Sequence, residues 1–240
     1  MRKIITTCII AAFAMLQASE SQKALANPQD TKRPLTERMA EVRVETKEKL
    51  NGEMSVLPSN EDQVCEVPHT EAEDQELVER AIEVCYPQMK KIPDQYYINA
   101  TQLLQVEYAL RVPDSMRGMT LAAACVESGF NEKAEGDHRF SKDGKTPKAI
   151  GILQMWPVYE HAYKVNRRDV VSSAKGWLTH IERQVPSVRK NCKTKTEVDT
   201  WRLAWVHGVR APKAGGRCHE NVNHWYVFLK IKSKLTGNHT

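Results

Sequence analysis

The sequence predicts a mainly α-helical protein: a helical domain over residues 99–240, preceded by a polar, partly helical segment. Three observations carry this expectation. Apolar residues recur at three- and four-residue spacing through most of residues 71–234, and no apolar–polar alternation of any length marks a sheet. Helix punctuation is frequent: Asn99 as a cap, Val112-Pro113 as a stop, and Gly129 where a left-handed residue would end a helix. Charge also changes at the proposed boundary. Residues 27–98 hold 16 acidic and 9 basic side chains, residues 99–240 hold 13 acidic and 23 basic, so an acidic segment precedes a basic domain of a size that supports one core.

The first 26 residues read as a secretory signal. Arg2 and Lys3 form the charged start, Ile4–Leu16 a short apolar core, and Ala24-Leu25-Ala26 a small-residue cleavage site. A membrane helix needs roughly 20 apolar residues, more than this core supplies. The expectation is an exported chain, periplasmic or secreted, without a stable membrane span. Cys8 lies inside the apolar core, far from the cleavage site.

Residues 27–60 are polar and punctuated by Pro28, Pro34 and Pro58. A charged helix over Thr36–Glu53 has few apolar positions and reads as a tether or a helix that waits for a partner, which the sequence does not name. Glu71–Lys91 is a better amphipathic helix, with Leu77, Ala81, Val84 and Cys85 on one side and acids crowding its start. Export makes disulfides the expectation for the cysteines beyond residue 26. Nearness along the chain suggests Cys65 with Cys85 and Cys192 with Cys218, leaving Cys125 free, although spacing does not prove connectivity.

From Asn99 the helices follow one another. Asn99 would cap Ala100–Leu110, and Asp114 or Ser115 would cap the helix ending near Gly129. Residues 131–148, rich in Gly, Asp and Lys, read as a long loop or irregular hairpin, and loops of this length are often functional. Further helices are expected over Val158–Val165, Val170–Val185, Glu197–His207 and Glu220–Lys234.

Within this plan one carboxylate stands out. Leu121-Ala122-Ala123-Ala124-Cys125-Val126 would make a buried helix that delivers Glu127 in its last turn, just before Gly129. The helix C-terminus presents unsatisfied carbonyls, and apolar neighbours penalise charge, so the position favours the protonated acid that a general acid catalyst needs. A surface glutamate at a helix end is the plain alternative.

Glu127-Ser128-Gly129-Phe130-Asn131, then Gly151-Ile152-Leu153-Gln154-Met155-Trp156-Pro157, then Leu203-Ala204-Trp205, in that order, resemble the soluble lytic transglycosylase family over roughly residues 99–234. The resemblance implies a lysozyme-like fold with the polar segment added at its N-terminus. It implies Glu127 as the catalytic acid, Ser128 as the hydroxyl residue beside it, Gln154 as a groove residue and Gly151 as a close backbone approach to the sugar. The third motif departs from the family's Ala-Tyr-Asn-x-Gly, since Ala204-Trp205-Val206-His207-Gly208 keeps an aromatic but loses the amide. Trp205 is either a sugar platform or core. Tyr226, within His224-Trp225-Tyr226-Val227, corresponds to a late family tyrosine expected to bring its hydroxyl near Glu127.

The chemistry implied is cleavage of the β-1,4 bond between N-acetylmuramic acid and N-acetylglucosamine in peptidoglycan glycan strands, with closure of a 1,6-anhydro ring. A hydrolytic muramidase is the alternative and would ordinarily use a second carboxylate, for which Asp137 and Asp143 are the candidates, Asp137 reading more simply as a charge-paired loop residue. A catalytically idle wall-binding protein is the third. The basic domain suits an anionic wall polymer, while export argues against nucleic acid. No cofactor and no metal are expected: His219 and His224 lie five apart rather than four, so a regular helix would not align them on zinc, and Asp143-Gly144 lacks the run of acids that calcium requires.

Overall fold

The structure, a computed structural model, describes residues 33–54, 70–207, 218 and 222–233. The signal segment, Cys65, His219 and Glu220 lie outside the described residues. The chain divides into two compact units, Met1–Arg38 and Met39–Thr240. Of the first, residues 33–38 are described, with Arg33 and Glu37 3.8 Å apart one helical turn from each other. Everything that follows concerns the second.

That unit is mainly helical. Among the described residues eight helices follow in order, the first belonging to this unit from Met39 onward: α1 Leu35–Met54, α2 Glu71–Cys85, α3 Asp94–Ala109, α4 Met119–Ser128, α5 Pro157–Tyr163, α6 Val170–Cys192, α7 Glu197–His207 and α8 Val222–Ser233. One short antiparallel pair, β1 Glu135–Gly136 with β2 Ala149–Ile150, closes the long loop in the register Glu135 opposite Ile150 and Gly136 opposite Ala149. No helix among the described residues is long and apolar enough to cross a membrane.

The expected boundary at residue 99 is not a structural one. Helix α1 buries Met39, Val42 and Leu50 and reaches other elements through Lys49 to Asp169 (3.4 Å) and Arg43 to Glu71 (4.0 Å), so from Met39 onward it is packed rather than a tether. Helix α2 opens on a capping box, in which Thr70 accepts from the Glu73 amide and the Glu73 carboxylate accepts from the Thr70 amide. It buries Leu77, Val78, Ala81 and Ile82. It ends at Cys85, short of Lys91, because Pro87 disfavours helical backbone at Tyr86.

Helix α3 starts at Asp94, directly after Pro93, so Asn99 is no cap. It lies inside the helix, 1 % exposed, and its amide donates to the Phe130 carbonyl (2.9 Å) and to Glu132 Oε2 (2.7 Å). The asparagine thereby ties α3 to the residues that follow Glu127. Helix α6 runs through Pro186 to Cys192, past the expected stop at Val185. Pro186 is on the exposed side, where water can satisfy the carbonyl it frees, while Val188 beyond it is fully buried.

Helix α4 sits at the centre, packed by α2, α3 and α8, and every residue from Met119 to Ala124 is buried. Two disulfides lock the arrangement. Cys192–Cys218 is the expected pair. The other is Cys85–Cys125, which corrects both the Cys65–Cys85 pairing and the free Cys125. Cys85 is the last residue of α2 and Cys125 lies in α4, and the packing of these helices brings together cysteines that nearness along the chain does not pair.

Candidate active site

Helix α4 ends as expected. Gly129 takes φ +60, and its amide closes on the Cys125 carbonyl (3.2 Å) while that of Phe130 reaches Ala124 (3.3 Å). Tyr86, immediately after α2, donates its hydroxyl to the Gly129 carbonyl at 2.5 Å, and a Cβ at position 129 would collide with that hydroxyl. Glycine suits the position both for the conformation and for the space.

The start of the same helix differs from the expectation. Asp114–Met116 is a short 3₁₀ turn, and the chain enters α4 through Gly118 at φ +91. The cap comes from another helix: Glu107 of α3 accepts from the amides of Gly118 (2.6 Å) and Thr120 (2.7 Å) and from the Thr120 hydroxyl (2.6 Å). Burial pushes the Glu107 carboxyl above its ordinary range, opposed by those three donors and by Arg117. Beside it, Asp74 of α2 accepts from Arg117 and from the Tyr108 hydroxyl (2.5 Å), so the buried charge is paired and bonded.

Glu127 thus stands on a helix fixed at both ends. Its side chain is 36 % exposed rather than enclosed among apolar neighbours. Its partner is His224 of α8, whose Nε2 lies 2.8 Å from Glu127 Oε1. Trp205 of α7, 7 % exposed, backs the imidazole at 5.8 Å between centroids and meets Trp177 and Phe228 edge to face. Trp205 is therefore core that positions His224, not an exposed sugar platform. Tyr226 is not the residue at Glu127 either. Two positions along a helix turn the side chain by about 160°, so with His224 facing Glu127 the tyrosine faces away, 55 % exposed with Lys230 Nζ 4.4 Å from its ring centre.

The remaining motif residues converge on the same side. The Ser128 hydroxyl lies 2.7 Å from the Ile152 carbonyl and fastens the end of α4 to the turn holding Gly151 and Gln154. Gly151, at φ +80, makes its close backbone approach to protein: a Cβ there would fall on the Arg167 carbonyl. Gln154 takes φ +45 and folds its carboxamide back, donating to the Gly151 carbonyl at 3.0 Å, while Gly136 leaves room for its Oε1.

Two side chains that bear on Glu127 are not among the motif residues singled out. His224 stands in the segment that carries Tyr226 and lies five residues from His219, and its contact with Glu127 spans 97 positions. Tyr159 of α5 is the second. Burial pushes its hydroxyl up, and Tyr163 and then the charge of Glu127 add to this. Tyr159 packs edge to face on His180, which is hydrogen-bonded to the Tyr163 hydroxyl at 2.7 Å.

The candidate second carboxylates are engaged. Asp137 accepts from the Trp156 indole N–H at 2.9 Å, rather than pairing with a charge, and Asp143 accepts from Thr146 (hydroxyl and amide), Lys145 and Ser141. Among the described residues no group of His, Cys, Asp and Glu could hold a metal ion. Comparison with known proteins finds no matching family model, curated protein or solved structure.

Proposed function

We propose that the chain is a peptidoglycan-cleaving enzyme of the lytic transglycosylase kind, with Glu127 as acid and then base at the β-1,4 bond between N-acetylmuramic acid and N-acetylglucosamine. The observation that carries this reading is the Glu127–His224 pair at the open end of an otherwise buried helix. A proton donor to a polymer must be reachable and must hold a proton. Exposure of Glu127 meets the first need. For the second, an imidazole 2.8 Å away lies within hydrogen-bond reach of the carboxyl and can exchange a proton with it.

In the first step Glu127 protonates the bridging oxygen as the C1–O bond of the muramyl residue breaks and oxocarbenium character builds on that ring. In the second, the carboxylate removes the proton from the muramyl 6-hydroxyl, whose oxygen closes on C1. The proton lost to the leaving sugar is thereby replaced and no water is consumed. Engagement of Asp137 and Asp143 elsewhere supports this internal nucleophile over a second carboxylate.

Hydrolysis on the same site is the second reading, favoured by His224 itself. A neutral imidazole beside Glu127 is a group able to take a proton from water where a second carboxylate is lacking. Both readings require Glu127, so the first test is turbidity loss of peptidoglycan with the wild type and Glu127→Gln. Clearing by the wild type alone supports them. Equal clearing by both proteins removes Glu127 from the mechanism.

A further inference from the structure

The loop between β1 and β2 carries a feature that the proton-transfer site does not use. Phe140 and Trp156 are exposed, at 52 % and 38 %, and their rings stand 5.5 Å apart, tilted by 51°. Two large aromatic side chains left together in water lose the burial that their area would give, and such patches mark contact with something else. The pair is held in place. The Trp156 N–H is fixed by Asp137 Oδ2, and Asp137 takes φ +57 at the start of the 3₁₀ turn His138–Phe140. Opposite, His138 Nδ1 lies 2.7 Å from the Lys145 carbonyl, and Asp143 gathers its four donors across residues 141–146. Trp156 is also the residue from which α5 starts, and its carbonyl accepts from the amide of Tyr159.

We propose that Phe140 and Trp156 form a saccharide-stacking subsite for a glycan strand whose sugars carry carboxylates. The identity of this ligand rests on the glycan-cleaving reading of Glu127. The chemistry of the patch fits a sugar. Ring faces suit the C–H face of a pyranose, while the polar rim, Asp137 and Arg139, suits its hydroxyls and charged substituents, a mixture that a purely apolar partner would leave unsatisfied. Arg139 lies over the Phe140 ring at 4.7 Å, and among the described residues no carboxylate pairs with it. Lys142 and Lys145 are exposed on the same loop. These cations match the lactyl carboxylate that distinguishes N-acetylmuramic acid from N-acetylglucosamine.

The test uses the full chain in a Glu127→Gln background, to prevent turnover, and titrates it calorimetrically with peptide-free strands of alternating N-acetylglucosamine and N-acetylmuramic acid. Trp156→Ala with Phe140→Ala should raise Kd by about tenfold or more, and Trp156→Tyr should restore most of the affinity. Arg139→Gln should weaken the muramyl strand while leaving an uncharged N-acetylglucosamine hexamer unaffected. Both side chains are exposed, so unchanged melting temperatures will show that the variants fold. An unchanged Kd in the double variant overturns the subsite and leaves the rings to a protein partner. It leaves the Glu127 reading intact, since that one is decided by wall clearing with the wild type and Glu127→Gln.

Discussion

Helix α4 has a glutamate at each end, and the two could hardly be treated more differently. Glu107, which caps its start, is 2 % exposed and has three donors within 2.7 Å. Glu127, in its last turn, is open to solvent and has one imidazole. The strongly perturbed carboxyl is the one with a structural duty, because burial and full hydrogen bonding are what a cap requires. The reachable one, at the poor end of the helix dipole and next to a titratable partner, has the features of a proton donor. A shifted carboxyl is thus a weaker guide to chemistry here than access combined with a partner.

This contrast can be broken at either end. Glu127→Gln keeps the shape of the side chain at an exposed site, so wall clearing should fall by about 10²–10⁴ while the melting temperature stays put. Glu107→Leu should do the reverse. It strands two amides and a hydroxyl in a dry site, and urea unfolding should show a loss of about 3 kcal/mol or more before any effect on the chemistry of folded molecules. If the Glu127 variant proves the less stable of the two, the division of labour is wrong.

His224→Gln sharpens the account of the open end. His224 is the side chain that touches Glu127, and glutamine there removes the imidazole while keeping a polar side chain. The variant should clear walls about 10–100-fold more slowly near neutrality. Its melting temperature should change little, and unchanged clearing together with a lowered melting temperature would reduce His224 to a packing residue.

The smallest effect concerns the loop between β1 and β2. The Thr146 hydroxyl and amide, followed by the amide of Lys145 and the hydroxyl of Ser141, hold the Asp143 carboxyl well below the usual carboxylate range. A depressed folded value means that the brace is present above the ordinary carboxylate range and is lost only as the pH falls through that lower value. The Lys145 and Thr146 amides should therefore remain protected from exchange at pH 4, and Asp143→Ala should remove the protection at any pH.

What the sequence made legible was local. The C-terminal glycine of α4, the run of buried alanines before it, the packed helix starting at Glu71 and the Cys192–Cys218 bridge all follow from neighbours within a helix or a short span. What it hid depends on how helices pack. Cys85 meets Cys125 because α2 lies against α4, over a separation of 40 positions. Asn99 has the chemistry of a cap, but Pro93 starts the helix first, and the side chain is spent on Phe130 and Glu132 instead. Glu107 caps a helix other than its own. At α8, the resemblance pointed to Tyr226 and the helix turns His224 toward Glu127, a difference of two positions that decides which face is used.

The most direct measurement is the mass of the muropeptides released when the purified protein digests peptidoglycan, with Glu127→Gln run beside it. The account predicts anhydro-muramyl products, each lighter by one water than its hydrolytic counterpart, from the wild type and next to none from the variant. Release of the same products in equal yield by Glu127→Gln, or no release by the wild type, would contradict it.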